Sequence, residues 1–219
     1  RWRQQITRLM IICGIGTGLF AFFPGLLKRE ANGYTILLYL ICPIFLFIGG
    51  ALLLRHTHLT HIRILENGSL TALRSFGWGC VLAVPPALLN IIGGAHQGDT
   101  GLDKWFDPLA ALMPGISEEV WARLFLTTLC YALLRPTTND RPRRALVAAI
   151  LIGAITHGLA HLYTPMIFSQ AGLGYIIAGL LFGVPMGLLF VKRDLYQAIG
   201  YHFFIDFVRF LAAYFCLGS

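Results

Sequence analysis

The sequence predicts an all-α integral membrane bundle of about seven transmembrane helices, on three observations. Of its 219 residues 57% are hydrophobic and only 12% are charged, where a soluble domain is nearer half apolar and about 25% charged. Runs such as Ile36 to Leu54 are apolar on every side, and about 20 such residues cross a hydrocarbon core of ~30 Å as a helix that satisfies its own backbone hydrogen bonds. No series of ~10-residue segments alternates polar with apolar residues, as the strands of a membrane barrel must.

The elements follow in order. The basic start Arg1-Trp2-Arg3 and the apolar run Leu9 to Leu27 resemble a signal peptide, but the run is long and has no small-x-small cleavage site. A retained first helix over 9–27 is therefore expected. The second, 34–54, stops at Arg55. In the third, 75–95, Pro85-Pro86 predicts a kink, because each proline removes an amide donor and clashes with the preceding turn. The fourth, 108–134, is long enough for two pieces, with Gly101 to Leu112 near the interface and a helix starting at Pro114, where a missing N–H costs little. Ser117 is expected to help start that helix. The fifth is 145–164. In the sixth, 172–191, Gly179, Gly183 and Gly187 recur every fourth residue and offer a face that another helix can approach closely. The seventh is 195–217. All belong to one integral membrane domain, 1–219.

Across a seven-span arrangement, twelve Lys and Arg fall on the side of the N-terminus and three, Lys28, Arg29 and Lys104, on the other. The positive-inside rule then puts the N-terminus in the cytoplasm. The same clustering between spans accounts for the net charge of +7 without nucleic acid as a partner. The five cysteines stand singly in apolar stretches with no C-x-x-C, so they read as small apolar residues. His56, His58 and His61 read as an interfacial polar loop. There is no H-E-x-x-H and no G-x-S-x-G, so neither zincin nor nucleophile-elbow chemistry has a scaffold.

Eight ionisable residues nevertheless fall inside spans: Glu118, Glu119 and Arg123; His157 and His161; His202, Asp206 and Arg209. Each costs several kcal/mol near the middle of a membrane, which makes it a functional candidate by default. None lies in the first three spans, so a buried site shared by C-terminal helices is expected. Glu119 and Arg123 are four apart, on one helix face, and can neutralise each other. Glu118 sits ~100° further round the helix without that partner, which suits a general base. An ion-pair network of all three that holds the bundle together is the structural alternative. His157 and His161 share a face, as do His202 and Asp206. A carboxylate one turn from a histidine can fix the tautomer and orientation of the ring. A packing hydrogen bond, with Asp206 paired to Arg209, is the alternative there. Together these groups are the set that water-mediated peptide hydrolysis needs.

At these residues the chain resembles the CPBP family of CAAX-protease and bacteriocin-processing membrane proteins, which includes the Ras-converting CAAX endoprotease. Glu118-Glu119 to Arg123 is similar to the family's E-E-x-x-x-R, and His202 to Asp206 to its H-x-x-x-N or H-x-x-x-D. Gly158-Leu159-Ala160-His161 looks like its F-x-x-x-H, with His157 where Phe is usual, and Leu181-Phe182-Gly183 to Gly187 looks like its Phe/Gly-rich helix. The resemblance covers 114–210. It implies an intramembrane endopeptidase in which Glu118 activates a water while His161, His202 and Asp206 position it or stabilise the oxyanion, with Glu119, Arg123 and His157 in support. His157 and His161 compete for one role, and motif register favours His161. The expected chemistry needs no cofactor, with zinc held by the Glu, His and Asp set as the alternative. The implied partners are a membrane-anchored protein or peptide substrate and the lipid bilayer, in a bacterial inner membrane. Two readings compete: a non-catalytic binding or immunity protein of the same fold, and a proton-coupled transporter, for which paired interrupted helices are lacking.

Overall fold

A computed structural model of the chain describes residues 33–57, 59, 68–93, 107–136, 141–161 and 170–217. The expected first span, 9–27, lies outside the described residues, as do His58, His61 and the early basic residues. Among the described residues all regular structure is helical. Helix α1 is Gly33–Thr57; α2 is Gly68–Leu82 and α3 is Val84–Ile92. A 3-10 turn, Asp107–Ala111, leads into α4, which runs through Leu112–Glu119, Val120–Thr127 and Thr128–Leu134. Helix α5 is Pro142–Leu159. Helix α6 joins Gln170–Ala178, Gly179–Gly183 and Val184–Lys192, and α7 is Leu195–Leu217.

The third expected span is two helices, Leu70–Leu82 and Val84–Ile92, bent by 42° at a break. Prolines at the start of α3 need no amide partner there, and they stop α2 from continuing. This pair begins earlier than the expected 75, because Arg74 rides exposed on α2 instead of ending a loop. Helix α4 starts at Leu112, so Pro114 lies in its first turn. Ser117 does not cap it: its hydroxyl donates to the Met113 carbonyl at 2.9 Å, inside the helix. Helix α5 ends at Leu159, short of the expected 164, and His161 N–H closes a tight last turn on the Gly158 carbonyl at 3.2 Å. Among the described residues, Gly172–Lys192 and Leu195–Cys216 are long and apolar enough to cross a membrane, with the bent pair as a third.

Apolar side chains such as Leu73, Trp78, Leu89, Ile92 and Phe215 point outward, as a lipid solvent allows. One seam of Phe47, Leu54, Ile116, Val120, Leu124 and Phe190 with Leu195 and Ile199 ties α1, α4, α6 and α7 together. Lipid tails are as apolar as leucine, so close approach of backbones has to supply much of the cohesion. The α6 glycines do this against α5. A Cβ at Gly179 would lie 2.6 Å from the Ala154 carbonyl, one at Gly183 3.1 Å from Ala154, and one at Gly187 2.9 Å from Ile150. At Gly200 of α7 an added Cβ would strike the Phe76 carbonyl of α2.

Two stretches are wound as π-helix, Val120–Thr127 in α4 and Gly179–Gly183 in α6. In α4 the Thr127 hydroxyl donates to the Ala122 carbonyl at 2.8 Å, and that of Thr128 to the Arg123 carbonyl at 3.5 Å. Both acceptors lie five residues back, the spacing of the π register. Such widened turns gather at functional sites; the first contains Arg123, and the second supplies the Gly183 carbonyl beside its guanidinium.

Candidate active site

The expected polar residues of α4, α5 and α7 converge on the Glu118 carboxylate. Oε2 of Glu118 lies 2.5 Å from His157 Nε2, 3.5 Å from His161 Nε2 and 3.8 Å from His202 Nε2. His161 and His202 therefore reach the same oxygen from different helices. The two glutamates differ in access: the Glu118 side chain is 22% exposed and that of Glu119 is 0%. Glu118 can meet a substrate or water, and Glu119 cannot.

Glu119 faces a cationic group at each oxygen, at Oε1 through a hydrogen bond and at Oε2 through charge alone. Its Oε2 faces Arg123 Nε at 3.4 Å, the expected i,i+4 pair, and its Oε1 accepts from His202 Nδ1 at 2.9 Å. His202 in turn has Nε2 3.5 Å from Asp206 Oδ2, and Asp206 Oδ1 is 3.3 Å from Arg209 Nη2. Both alternatives weighed for Asp206 thus occur together. A histidine ring with a carboxylate at each nitrogen is fully satisfied only with a proton on each. Three carboxylates, Glu118, Glu119 and Asp206, are then matched in charge by Arg123, Arg209 and the His202 imidazolium, a neutral set that suits a membrane interior.

The cross-helix contacts of Arg123 were not foreseeable from spacing. Its Nη2 approaches His157 Nδ1 at 3.1 Å, Met186 Sδ at 3.0 Å and the Gly183 carbonyl at 3.5 Å. A guanidinium only donates, so Nδ1 of His157 accepts, and the one proton of a neutral ring sits on Nε2 and is donated to Glu118. His161 has the opposite tautomer: Nδ1–H donates to the His157 carbonyl at 2.9 Å, which leaves the Nε2 lone pair toward Glu118 in the neutral ring. Two acceptors 3.5 Å apart call for something between them that brings protons or positive charge. Trp121 walls the group, edge-on to His157 with centroids 5.7 Å apart; its position three residues beyond Glu118 was the one available signal.

Glu118, His157 and His161 hold ligand-type atoms within 4.8 Å of one another, which is the spacing of a metal site. A ligating imidazole must present a lone pair, and the Nε2 of His157 is protonated as long as Arg123 donates to Nδ1. The cluster then offers two ligands, Glu118 and His161, where a catalytic zinc takes three from the protein. The residues present do not fit zinc.

Residues 102–208 match the family model described as type II CAAX prenyl endopeptidase Rce1-like. That stretch contains seven of the eight intramembrane ionisable residues and stops just before Arg209. No curated protein and no solved structure matches the chain.

Proposed function

We propose, for a chain whose residues 102–208 belong to the type II CAAX prenyl endopeptidase Rce1-like family, that it is an intramembrane endopeptidase acting through Glu118-activated water. The observation that carries this reading is the convergence of three imidazoles from two further helices on Glu118, the most exposed of the site's three carboxylates. A water between Glu118 and His161 Nε2 satisfies both acceptors. Glu118 takes its proton while the oxygen adds to the scissile carbonyl, and the proton then passes to the leaving amine. His202 is doubly protonated and anchored through Nδ1–H to Glu119, and its Nε2–H, 3.5 Å from Asp206, turns from that long contact to the developing oxyanion. Activity is metal-free in this scheme, because each step uses a proton already held by a named residue or by the water.

The substrate class we infer is a protein or peptide anchored in the bilayer, since Glu118 lies among helices whose outer surfaces are apolar. A lipidated C-terminal tail is one form that such a substrate takes. The protein is integral to the membrane, and we infer a bacterial inner membrane with the N-terminus in the cytoplasm from the distribution of Lys and Arg. Comparing the membrane proteomes of cells that carry wild-type protein or Glu118→Gln tests the function. Accumulation of uncleaved membrane-anchored precursors in the variant is expected, and identical peptide termini in both strains would refute the proposal.

A further inference from the structure

We propose that His157 is a positioning residue, clamped by Arg123 in its Nε2–H tautomer so that it holds the Glu118 carboxylate toward His161 and denies the cluster a third metal ligand. This rests on the reading of Glu118 as the base. The clamp spans three helices. Nη2 of Arg123 on α4 donates to Nδ1 of His157 on α5, and Nη2 is itself steadied by the Gly183 carbonyl and Met186 Sδ of α6. A guanidinium has no lone pair and cannot lose its proton in a protein, so the tautomer follows from this contact alone. Turning the ring over would aim C–H groups at both Arg123 and Glu118 and lose both bonds. Neighbouring rings also confine it, with centroids of Trp121, His161 and His202 at 5.7, 5.2 and 5.3 Å.

The ionisable groups that face His157 are Glu118 and Arg123 from α4, His161 from the end of its own helix and His202 from α7. Among these Glu118 and His161 are the most exposed, at 22% and 46% of the side chain against 8% for His157 and 7% for His202. The ring of His157 is thus sealed behind the carboxylate that it orients. A partly exposed carboxylate without such a donor has several rotamers and solvated states, and misplacement of a reacting group by about 1 Å can cost ~10²-fold in rate.

The test compares kcat and KM per folded molecule for wild-type protein, His157→Phe and His157→Gln in lipid nanodiscs, with zinc uptake measured by calorimetry on the same samples. Phenylalanine keeps the ring contacts and removes both polar atoms; kcat should fall by about tenfold or more with KM unchanged. Glutamine supplies an amide oxygen for Arg123 and an N–H for Glu118, so it should recover most of the lost kcat, whereas a residue that shuttles protons would not be replaced. Wild-type protein should take up no zinc. A wild-type rate in His157→Phe, a His157→Gln variant as slow as His157→Phe, or stoichiometric zinc uptake abolished by either change would each overturn the proposal. If His157→Phe does not fold, His157→Gln decides: at least about half of the wild-type kcat supports the clamp, and less, set against the roughly tenfold loss that misplacement predicts, overturns it. Full activity in Glu118→Gln would sink the underlying reading, whereas a slow Glu118→Gln beside a fast His157→Phe sinks this inference alone.

Discussion

Glu118 and Glu119 are adjacent in sequence and opposite in circumstance. Glu119 is sealed from solvent between Arg123 and His202, while Glu118 opens toward the exposed His161. Removing one partner of a buried pair leaves the other uncompensated, at a cost of ~3–5 kcal/mol. Glu119→Gln and Arg123→Ala are therefore expected to lower thermal stability or yield, and also to lower the rate per folded molecule, because Glu119 holds His202 and Arg123 holds His157. Glu119→Gln combined with Arg123→Met removes both charges and should recover part of the stability. Thermal unfolding in lipid nanodiscs checks this, and a Glu119→Gln protein as stable as wild type would show that the pair is not what holds α4. The i,i+4 pairs of this site were legible because helical period is a local property, and Glu119 with Arg123 and His202 with Asp206 needed only a count along the chain. Glu119 with His202 and Arg123 with His157 were not, since no spacing along one helix reports which face a second helix presents to it.

Among the helices, α5 and α6 meet where glycines remove side chains from the seam. An added Cβ at Gly179 would sit 2.6 Å from the Ala154 carbonyl and 3.1 Å from Gly158 Cα, whereas one at Gly174 of the same helix meets nothing within 4 Å. Alanine gains roughly 0.5–1 kcal/mol over glycine in a helix interior, but forcing two backbones apart costs about 1–3 kcal/mol. Gly179→Ala should lower the unfolding temperature and Gly174→Ala should hold or raise it. Equal temperatures for the two variants would contradict the close seam. The four-residue glycine repeat announced this face in the sequence. The π segments did not announce themselves: Val120–Thr127 has no glycine or proline, and the hydroxyl bonds of Thr127 and Thr128 that accompany its widened register are not fixed by the sequence alone. The bend between α2 and α3 was readable from Pro85-Pro86, but the start of α2 was not, because an exposed Arg74 on a helix looks the same in sequence as Arg74 in a loop.

At the scale of the whole molecule, the described helices put many apolar side chains outside and gather Glu118, Glu119, Arg123, His157, His202 and Asp206 within, while Arg55, Arg74 and Arg141 to Arg144 stay exposed. Composition alone carried this, because a chain so poor in charge has no other use for eight ionisable groups in its spans than to bury them together. What composition left open is whether those groups work on protons alone or through a metal. The clamp of Arg123 on His157 favours protons, so strong chelation should leave the cleavage rate unchanged. Loss of cleavage on chelation with recovery on adding zinc would move Glu118, His161 and His202 into ligand roles.

The most direct measurement of the central claim is the initial rate of peptide cleavage per folded molecule by wild-type protein and by Glu118→Gln, in one nanodisc preparation, against a mixture of prenylated and transmembrane-anchored peptides read by mass spectrometry. Glutamine keeps the shape of the side chain and removes the proton acceptor, so the rate should fall by at least ~10²-fold while the variant unfolds at the wild-type temperature. A Glu118→Gln protein that folds less well than wild type yet cleaves at the full rate per folded molecule would contradict the account, and Glu118 would then be a structural residue.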